Sequence, residues 1–332
     1  MNTEKYYLGM DIGGTKCAVS LGKAGEDGRV VLLVRCPPRP TAQYTPEAML
    51  NALCTDAGAL ISKAPKKIQA LGISCGGPLD VSRGLILSPP NLPGWDEIPI
   101  VEHMSRQLGI PAYLCNDANA GALAEWKLGA GQGCSNMAFL TFGTGLGAGL
   151  ILNGRLYEGA SGFAGEIGHI RLSQHGPSGY GKIGSFEGFC SGGGIAQLAQ
   201  IYVRREYQKG NCPAFCPKES DIPGLTAETT AKAAQAGDPL AQEIMAQCGT
   251  MLGRGLAVLM DILNPERIII GSIFARARAE LWPAAREVIT REGLLQTASV
   301  CQVLPAALSE SVGDLAALTT AAYFDNREAA AR

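Results

Sequence analysis

The chain has 332 residues, enough for two domains or two large lobes, and only 17% of them are charged. Its formal net charge of −2 favours neither a nucleic acid nor a membrane surface as the partner. Glycine is abundant, at 43 residues, which predicts many positions where the backbone turns sharply or approaches a ligand closely.

The first part of the chain predicts the element order β-β-β-α-β-α-β. A helix is predicted from Pro46 to about Ser62, with Thr45 as its N-cap, and another near 101–108. In a dinucleotide-binding fold, the first strand leads through its glycine turn into a helix, but here Gly13-Gly14 leads into another strand. The order therefore favours a ribonuclease-H-like α/β fold. The predicted strands are 6–12, 17–21, 29–35, 70–75 and 112–115.

The second part of the chain repeats this opening. A strand at 136–142, a glycine turn at 143–147 and a strand at 148–152 are followed by the hairpin turn Asn153-Gly154 into 155–157. A helix at 239–263 with Asp238 as N-cap precedes a strand at 267–271, and the polar segment 204–223 is predicted to be an exposed excursion. Such a repeat predicts a duplicated core with two lobes around a cleft.

Two glycine turns favour phosphate binding. In DIGGTK at 11–16, Gly13 and Gly14 let backbone N–H groups approach phosphate oxygens, Thr15 adds a hydroxyl and Lys16 a positive charge. Asp11 is placed to bind a magnesium ion, directly or through water. The alternative is an ordinary glycine hairpin. The second turn, TFGTGLGAG at 141–149, favours phosphate, because two such turns could cradle one nucleotide.

Further motifs follow in order along almost the whole chain, and together they resemble the ROK family of sugar kinases, repressors and related open reading frames, in the actin-like ATPase superfamily. The resemblance implies a duplicated ribonuclease-H-like fold, and an ATP-dependent enzyme that phosphorylates a hydroxyl of a hexose or hexose derivative. It also implies a lobe boundary at residue 118, with 1–118 and a returning helix at about 312–326 as the small lobe. The large lobe, 119–311, would carry the sugar loop and a dimer surface. The motifs are DIGGTK at 11–16, GGP at 76–78, PNLPGW at 90–95, NDANAGALAE at 116–125, TFGTGLGAG at 141–149, GEIGH at 165–169 and NPERIIIG at 264–271.

Asp117 is the general base that the resemblance implies. It follows a predicted strand and precedes a helix, at the sheet edge where ligands bind in folds of this kind. The alternative is that Asp117 only caps the helix starting near Ala118. The substrate-binding residues implied by the resemblance are Gly77, Asn91, Asn116, Asp117, Glu166, His169 and Glu187. His169 could instead be a satisfied core histidine, and Glu187 a solvated loop carboxylate.

ATP with Mg²⁺ is the cofactor that the resemblance implies. Gly271 is the weaker member of the nucleotide set, because relatives usually carry further glycines there and it could simply end a strand. The implied nucleotide-binding residues are Asp11, Gly13, Gly14, Thr15, Lys16, Thr144, Gly145 and Gly271.

The sequence departs from the family pattern at a structural zinc site. Most relatives bind zinc with the histidine of GEIGH and three cysteines, but the cysteine positions hold Ser178, Tyr180 and Ser185 here. Neutral hydroxyl groups do not replace thiolates around zinc. Cys212 and Cys216 have a spacing that could bind metal, but their neighbouring prolines also fit a plain turn. We therefore expect no zinc.

The 11 cysteines form no tight framework, and the chain enters a structured segment almost at once. We expect a reduced cytoplasmic location without a signal peptide or membrane span. The family resemblance implies a homodimer. We expect no nucleic-acid partner and no N-terminal helix-turn-helix domain, because DIGGTK begins at Asp11. A non-catalytic, sugar-sensing protein is the alternative to the kinase.

Overall fold

The structure is a computed structural model that describes residues 4–25, 27–308 and 312–331. The strands are β1 (Lys5–Ile12), β2 (Lys16–Ala24), β3 (Val30–Arg35), β4 (Arg39–Pro40), β5 (Ile68–Cys75), β6 (Leu79–Asp80), β7 (Leu85–Ile86), β8 (Ala112–Asn116), β9 (Met137–Phe142), β10 (Leu146–Leu152), β11 (Arg155–Leu156), β12 (Ser178–Gly179), β13 (Lys182–Ile183), β14 (Arg267–Ile270) and β15 (Gln302–Pro305). The α-helices are α1 (Pro46–Lys63), α2 (Ile100–Leu108), α3 (Asp117–Leu128), α4 (Phe186–Phe189), α5 (Gly192–Gln208), α6 (Ala227–Gln235), α7 (Pro239–Leu263), α8 (Ile273–Arg276), α9 (Arg278–Glu292), α10 (Leu295–Ala298) and α11 (Val312–Ala331).

The chain divides into two compact units. The first comprises residues 1–133, 156–164 and 307–332, and the second comprises 134–155 and 165–306. Helix α3 belongs to the first unit because it packs against α11. The predicted lobes 1–118 and 119–311, and the dimer surface of the second, stay predictions.

The first unit contains a sheet with the order β3-β2-β1-β5-β8, and β4 pairs with the free part of β2. β1, β2 and β3 are joined as antiparallel hairpins, whereas β5 and β8 run parallel to β1. The parallel order brings the carboxyl ends of β1, β5 and β8 to one edge of the sheet. The sequence elements that follow these strands are the first glycine turn, the GGP loop and Asn116-Asp117.

Both faces of this sheet are covered by helices. β1 places alternate side chains on opposite faces, so it contributes to both contacts. Leu8 and Met10 pack with α1 and α2 in one apolar core. On the other face, Gly72 of β5 lies so close to α11 that a Cβ there would overlap the Ala317 carbonyl. α11 therefore packs directly on the sheet of the first unit.

α11 is longer than predicted and reaches Ala331. Near its end, Asp325 accepts hydrogen bonds from the Tyr7 hydroxyl at 2.8 Å and the Lys5 ammonium at 2.9 Å. Burial and the bond to Asp325 raise the pKa of Tyr7 far above its ordinary value. α11 is thus tied to the first strand.

The second unit repeats the arrangement with the sheet order β11-β10-β9-β14-β15. β9 and β10 are antiparallel, and β14 runs parallel to both β9 and β15. α7 packs closely against α9, since a Cβ on Gly253 would lie only 2.5 Å from the Ala285 carbonyl oxygen. Two sheets with the same hairpin-then-parallel order confirm the duplicated ribonuclease-H-like fold. Among the described residues, no helix combines the length and apolarity needed to cross a bilayer.

The prediction that 204–223 is an exposed excursion is wrong in part. Residues 204–208 complete α5, while Cys216 and Ile222 are buried in the apolar core of the second unit. The Tyr207 hydroxyl donates a hydrogen bond to the Cys216 carbonyl at 2.8 Å, which fixes this segment against the helix. Its polar composition concealed the few apolar residues that anchor it.

Candidate active site

In the first unit, the first glycine turn connects β1 to β2. Its Gly13 N–H donates to the Lys16 carbonyl at 3.1 Å, while the side chains of Thr15 and Lys16 are exposed. The loop carrying Asn91 lies directly against this turn, because a Cβ on Gly14 would lie 2.7 Å from the Asn91 carbonyl oxygen. Glycine at this position therefore allows the two loops to meet.

Asp11 is the penultimate residue of β1 and lies in an acidic environment. Burial is the largest cause that raises its pKa to about 6, followed by repulsion from Asp314 and Asp117, while Lys16 and Arg35 act in the opposite direction. Asp314 is buried in the first turn of α11 and pairs with Arg35 at 3.1 Å. A Cβ on the neighbouring Gly313 would lie 2.5 Å from the Asp11 carboxylate. The start of α11 therefore adjoins the strand end that carries Asp11.

Asp117 is the first residue of α3, and Asn116 is the N-cap. The Ala118 N–H donates to Asn116 Oδ1 at 3.0 Å and also to Asp117 Oδ1 at 2.9 Å. Water reaches the Asp117 side chain, yet the surrounding protein desolvates its carboxyl and raises its pKa, against the lowering effect of the Ala118 N–H. Because Asn116 already caps the helix, capping alone does not account for a carboxylate at Asp117.

The GGP loop brings the predicted substrate residues of this unit together. A Cβ on Gly76 would lie 3.6 Å from Asn91 Nδ2 and 3.8 Å from Asp117 Oδ2. A Cβ on Gly77 would lie 3.4 Å from Asn116 Nδ2, and the Gly77–Pro78 peptide bond is cis. The loop thus lies beside two amide groups and one carboxylate, all of which can bind hydroxyl groups.

In the second unit, the second glycine turn joins β9 to β10. Gly143 N–H donates to the Gly145 carbonyl at 3.0 Å, and Thr144 is exposed at the tip. Glu187 meets this turn directly: its Oε2 accepts a hydrogen bond from the Leu146 N–H at 3.0 Å. A Cβ on Gly145 would lie 2.7 Å from the same oxygen. Glu187 is therefore not merely a solvated loop carboxylate.

Glu166 and His169 lie in a turn that is anchored on β10. The Ala148 N–H donates to the Gly165 carbonyl at 3.0 Å, and Gly165 has a φ of +93° where a Cβ would overlap the Ala148 carbonyl. The side chains of Glu166 and His169 are exposed, so the alternative of a satisfied core histidine is wrong. A Cβ on Gly168 would lie 3.3 Å from the Glu187 Cβ, so this turn adjoins α4.

The segment that departs from the zinc pattern is connected by hydrogen bonds. Ser185 is the N-cap of α4 and accepts from the Gly188 N–H at 3.0 Å, while Tyr180 is 71% exposed. The Lys182 ammonium donates to the His169 carbonyl at 2.6 Å, and the Arg171 guanidinium to the Ile183 carbonyl at 2.6 Å. Across the described part of the chain, no group of three or more His, Cys, Asp or Glu residues is arranged to bind a metal ion.

Gly271 lies at the end of β14, where its N–H donates to the Leu140 carbonyl at 2.9 Å and Phe139 covers its Cα. The next residue, Ser272, is closer to the second glycine turn: a Cβ on Gly143 would lie 3.6 Å from its hydroxyl oxygen. Its φ of +53° is unusual for a non-glycine residue, and the Arg276 guanidinium donates to its hydroxyl at 3.1 Å. Sequence reasoning missed Ser272 because a single serine after a strand carries no distinctive pattern.

Two further polar residues near the turns were also missed. The Thr141 hydroxyl accepts a hydrogen bond from the Gly147 N–H at 3.2 Å, inside the second turn. Thr41 is buried behind the first turn and bonds to it, although it lies far from it in the sequence. No sequence signal marks either contact, because both depend on how strands pair.

Comparison with known proteins gives consistent matches. The sequence model of the ROK family matches residues 7–323. A glucokinase from Halalkalibacterium halodurans is 31% identical over 318 residues, covering 94% of this chain and 93% of that protein. The structure is similar to the ROK hexokinase from Thermus thermophilus, with a TM-score of 0.80, 31% identity and coverage of 97% and 99% of the two chains. It is also similar to a ROK glucokinase from Streptomyces griseus in complex with glucose and AMPPNP, with a TM-score of 0.71, 29% identity and coverage of 95% and 99%.

Proposed function

Because the chain belongs to the ROK family and is an ATP-dependent carbohydrate kinase, we propose that it transfers the γ-phosphoryl group of ATP to a hydroxyl of a hexose or hexose derivative, with Asp117 as the general base. The observation that carries the proposal is the place of Asp117 at the carboxyl end of β8, beside the GGP loop. The glucose and AMPPNP named for the Streptomyces griseus glucokinase support this choice of substrates.

Asp117 would accept the proton of the attacking sugar hydroxyl. Phosphoryl transfer needs in-line positioning and a residue that accepts this proton, and a carboxylate does so when it is ionised and within hydrogen-bonding distance. The raised pKa of Asp117 supports the role, because it makes the carboxylate a stronger base than an ordinary aspartate. The Ala118 N–H, bound to Oδ1, fixes the side-chain orientation.

Sugar recognition would use carboxylates, amides and an imidazole. Asn116 uses its oxygen as the helix cap, so its Nδ2 is the group that can donate to a hydroxyl. The proposed substrate-binding residues are Gly77, Asn91, Asn116, Asp117, Glu166, His169 and Glu187. Which hexose they select, and which hydroxyl reacts, would follow from the spacing of these groups.

ATP phosphates would bind at the two glycine turns, where the absence of Cβ atoms lets the backbone approach phosphate oxygens and Lys16 adds positive charge. Asp11 fits a magnesium ion, because the repulsion and burial that raise its pKa would be relieved by a divalent cation. Bound Mg²⁺ would neutralise charge on the phosphates during transfer. The proposed nucleotide-binding residues are Asp11, Gly13, Gly14, Thr15, Lys16, Thr144, Gly145 and Gly271.

Sugar-dependent release of ADP from magnesium-ATP tests the proposal. The panel is glucose, mannose, fructose, N-acetylated hexosamines, allose and disaccharides, and the product is analysed by NMR to identify the phosphorylated hydroxyl. We expect release with at least one monosaccharide. Well-folded protein that binds a sugar yet releases no ADP with any of them would favour the sugar-sensing alternative. A homodimer and a cytoplasmic location remain predictions.

A further inference from the structure

A short segment, residues 39–43, contacts the first glycine turn on its buried side, and we call it the bracing segment. β4 pairs with the start of β2, and Thr41 follows it at the beginning of a 3-10 turn. The Thr41 side chain is buried, and its hydroxyl donates to the Gly13 carbonyl at 2.6 Å. Its backbone N–H donates to the Thr15 carbonyl at 3.0 Å. One residue therefore binds two carbonyl groups of the turn.

These two bonds, together with a longer one from the Cys17 thiol to the same Gly13 carbonyl at 3.8 Å, hold the direction of the turn's dipoles. In a trans peptide the C=O and N–H groups point in opposite directions, and the Gly13–Gly14 peptide is trans. With the Gly13 carbonyl fixed towards Thr41, the Gly14 N–H must point away from the protein interior. A carbonyl oxygen turned outward would instead repel a phosphate. The Thr41 hydroxyl thus favours the orientation that binds anions.

The bracing segment is itself held against α1 of the first unit. The Arg39 guanidinium donates to both carboxylate oxygens of Asp56 in α1, each at 2.7 Å, and to the Tyr44 hydroxyl at 3.2 Å. These bonds raise the pKa of Arg39 further. Thr41 lies between these two anchors, since Arg39 precedes it and Tyr44 follows it. A bidentate pair of this kind has a defined geometry, so Thr41 has little freedom to move away from the turn.

We propose that Thr41 is a positioning residue for nucleotide binding, which acts through Gly13 and Thr15 and does not touch ATP itself. The inference rests on the proposed function of the first glycine turn as a phosphate site. It adds to that site a residue, Thr41, that no sequence motif marks. A structural role alone would lower stability without discriminating between the two substrates, whereas this role affects ATP specifically.

Isosteric and conservative variants test the proposal. Thr41→Val keeps the volume and removes the hydroxyl, Thr41→Ser keeps the hydroxyl, and Thr41→Ala serves if valine prevents folding. The matched control is Thr230→Val in α6, where a buried threonine hydroxyl donates to the Thr226 carbonyl at 2.8 Å in the other unit. The measurements are KM for ATP, KM for the sugar, kcat, and the Kd of ATP by calorimetry without sugar.

We expect Thr41→Val to raise KM and Kd for ATP about fivefold or more, with KM for the sugar within twofold, as the loss of one hydrogen bond implies. Thr41→Ser and Thr230→Val should stay within about twofold of the wild type for both substrates. Equal changes in both KM values, or unchanged ATP binding by Thr41→Val and Thr41→Ala, would overturn the inference. Wild-type protein that binds no ATP would instead refute the proposed function.

Discussion

Glu187 Oε2 accepts the Leu146 N–H at 3.0 Å, so a residue proposed to contact the sugar also fixes the second glycine turn. The carboxylate has a second oxygen available to other donors. Sugar and nucleotide binding would therefore share one side chain. This contact relates α4 to the turn between β9 and β10 within a single unit.

Substitution of Glu187 should affect both substrates. Glu187→Ala leaves the Leu146 N–H without its acceptor, so we expect KM for ATP to rise about fivefold and KM for the sugar to rise at least as much. Glu187→Gln keeps an oxygen for Leu146, so KM for ATP should stay within twofold while KM for the sugar rises. Steady-state kinetics with each substrate varied in turn measures both. An unchanged KM for ATP in Glu187→Ala would contradict the shared role.

Removal of the proposed base should reduce kcat by about 10²–10⁴-fold in Asp117→Asn. The asparagine keeps an oxygen for the Ala118 N–H, and Asn116 still caps α3, so the melting temperature should change little. Asp261→Asn is the control, because Asp261 accepts bonds from Leu294 and Thr297, both of which lie in the second unit and outside the proposed site. A kcat for Asp117→Asn within tenfold of the wild type would remove Asp117 from the base role.

Asp11 should make stability depend on pH. Its folded-state pKa is about 6, against an ordinary value of 3.8, because of burial and the charges of Asp314 and Asp117, opposed by Lys16 and Arg35. The folded protein therefore binds the proton more tightly. The stability that this proton adds is complete below pH 3.8 and is lost as the pH rises to about 6.

Asp11→Asn should consequently stabilise the protein at pH 7.5 by about 2 kcal/mol, and the gain should shrink towards zero at pH 4. Thermal and urea unfolding at both pH values, with EDTA present to exclude divalent cations, measures the difference. The variant should also bind magnesium-ATP more weakly, which links the stability gain to lost function. An equal gain at both pH values would show that the charge of Asp11 is not its cause.

Zinc removal should leave the protein stable. The hairpin of β12 and β13 is joined to the GEIGH turn by the Lys182 bond to His169, and Ser185 caps α4 without a metal. We expect a zinc-selective chelator, with magnesium in excess, to change neither the melting temperature nor the sugar-dependent release of ADP. A relative that carries the three cysteines is the positive control. A large loss of melting temperature here would reveal a zinc site formed by other residues.

The order of elements could be predicted from the sequence because helix caps and turns are marked by residues that are close together in the chain. Thr45 and Asp238 cap α1 and α7 as predicted, by accepting the Ala48 and Ala241 N–H groups. The hairpin after Gly13-Gly14 distinguished the ribonuclease-H-like order from a dinucleotide-binding one. The candidate site residues came from motif resemblance, and their roles stay predictions.

What the sequence did not predict depends on tertiary packing. Thr41 meets Gly13 only because β4 adds to the free part of β2, a pairing with no local signature. Asp314 lies beside Arg35 because α11 returns across the whole length of the chain. The buried Cys216 and Ile222 lie among polar residues, so neither period nor composition revealed them.

The bonds that Asp325 accepts from Tyr7 and Lys5 have a consequence for synthesis on the ribosome. One face of the first sheet is covered by α11, which is translated after the second unit, so that face stays exposed until α11 has been made. The second unit, by contrast, is fully translated by residue 306 and can fold before α11 has been made. A nascent chain therefore exposes one face of the apolar β1 and β5 until α11 emerges, and chaperones that recognise apolar strands can bind there in the meantime.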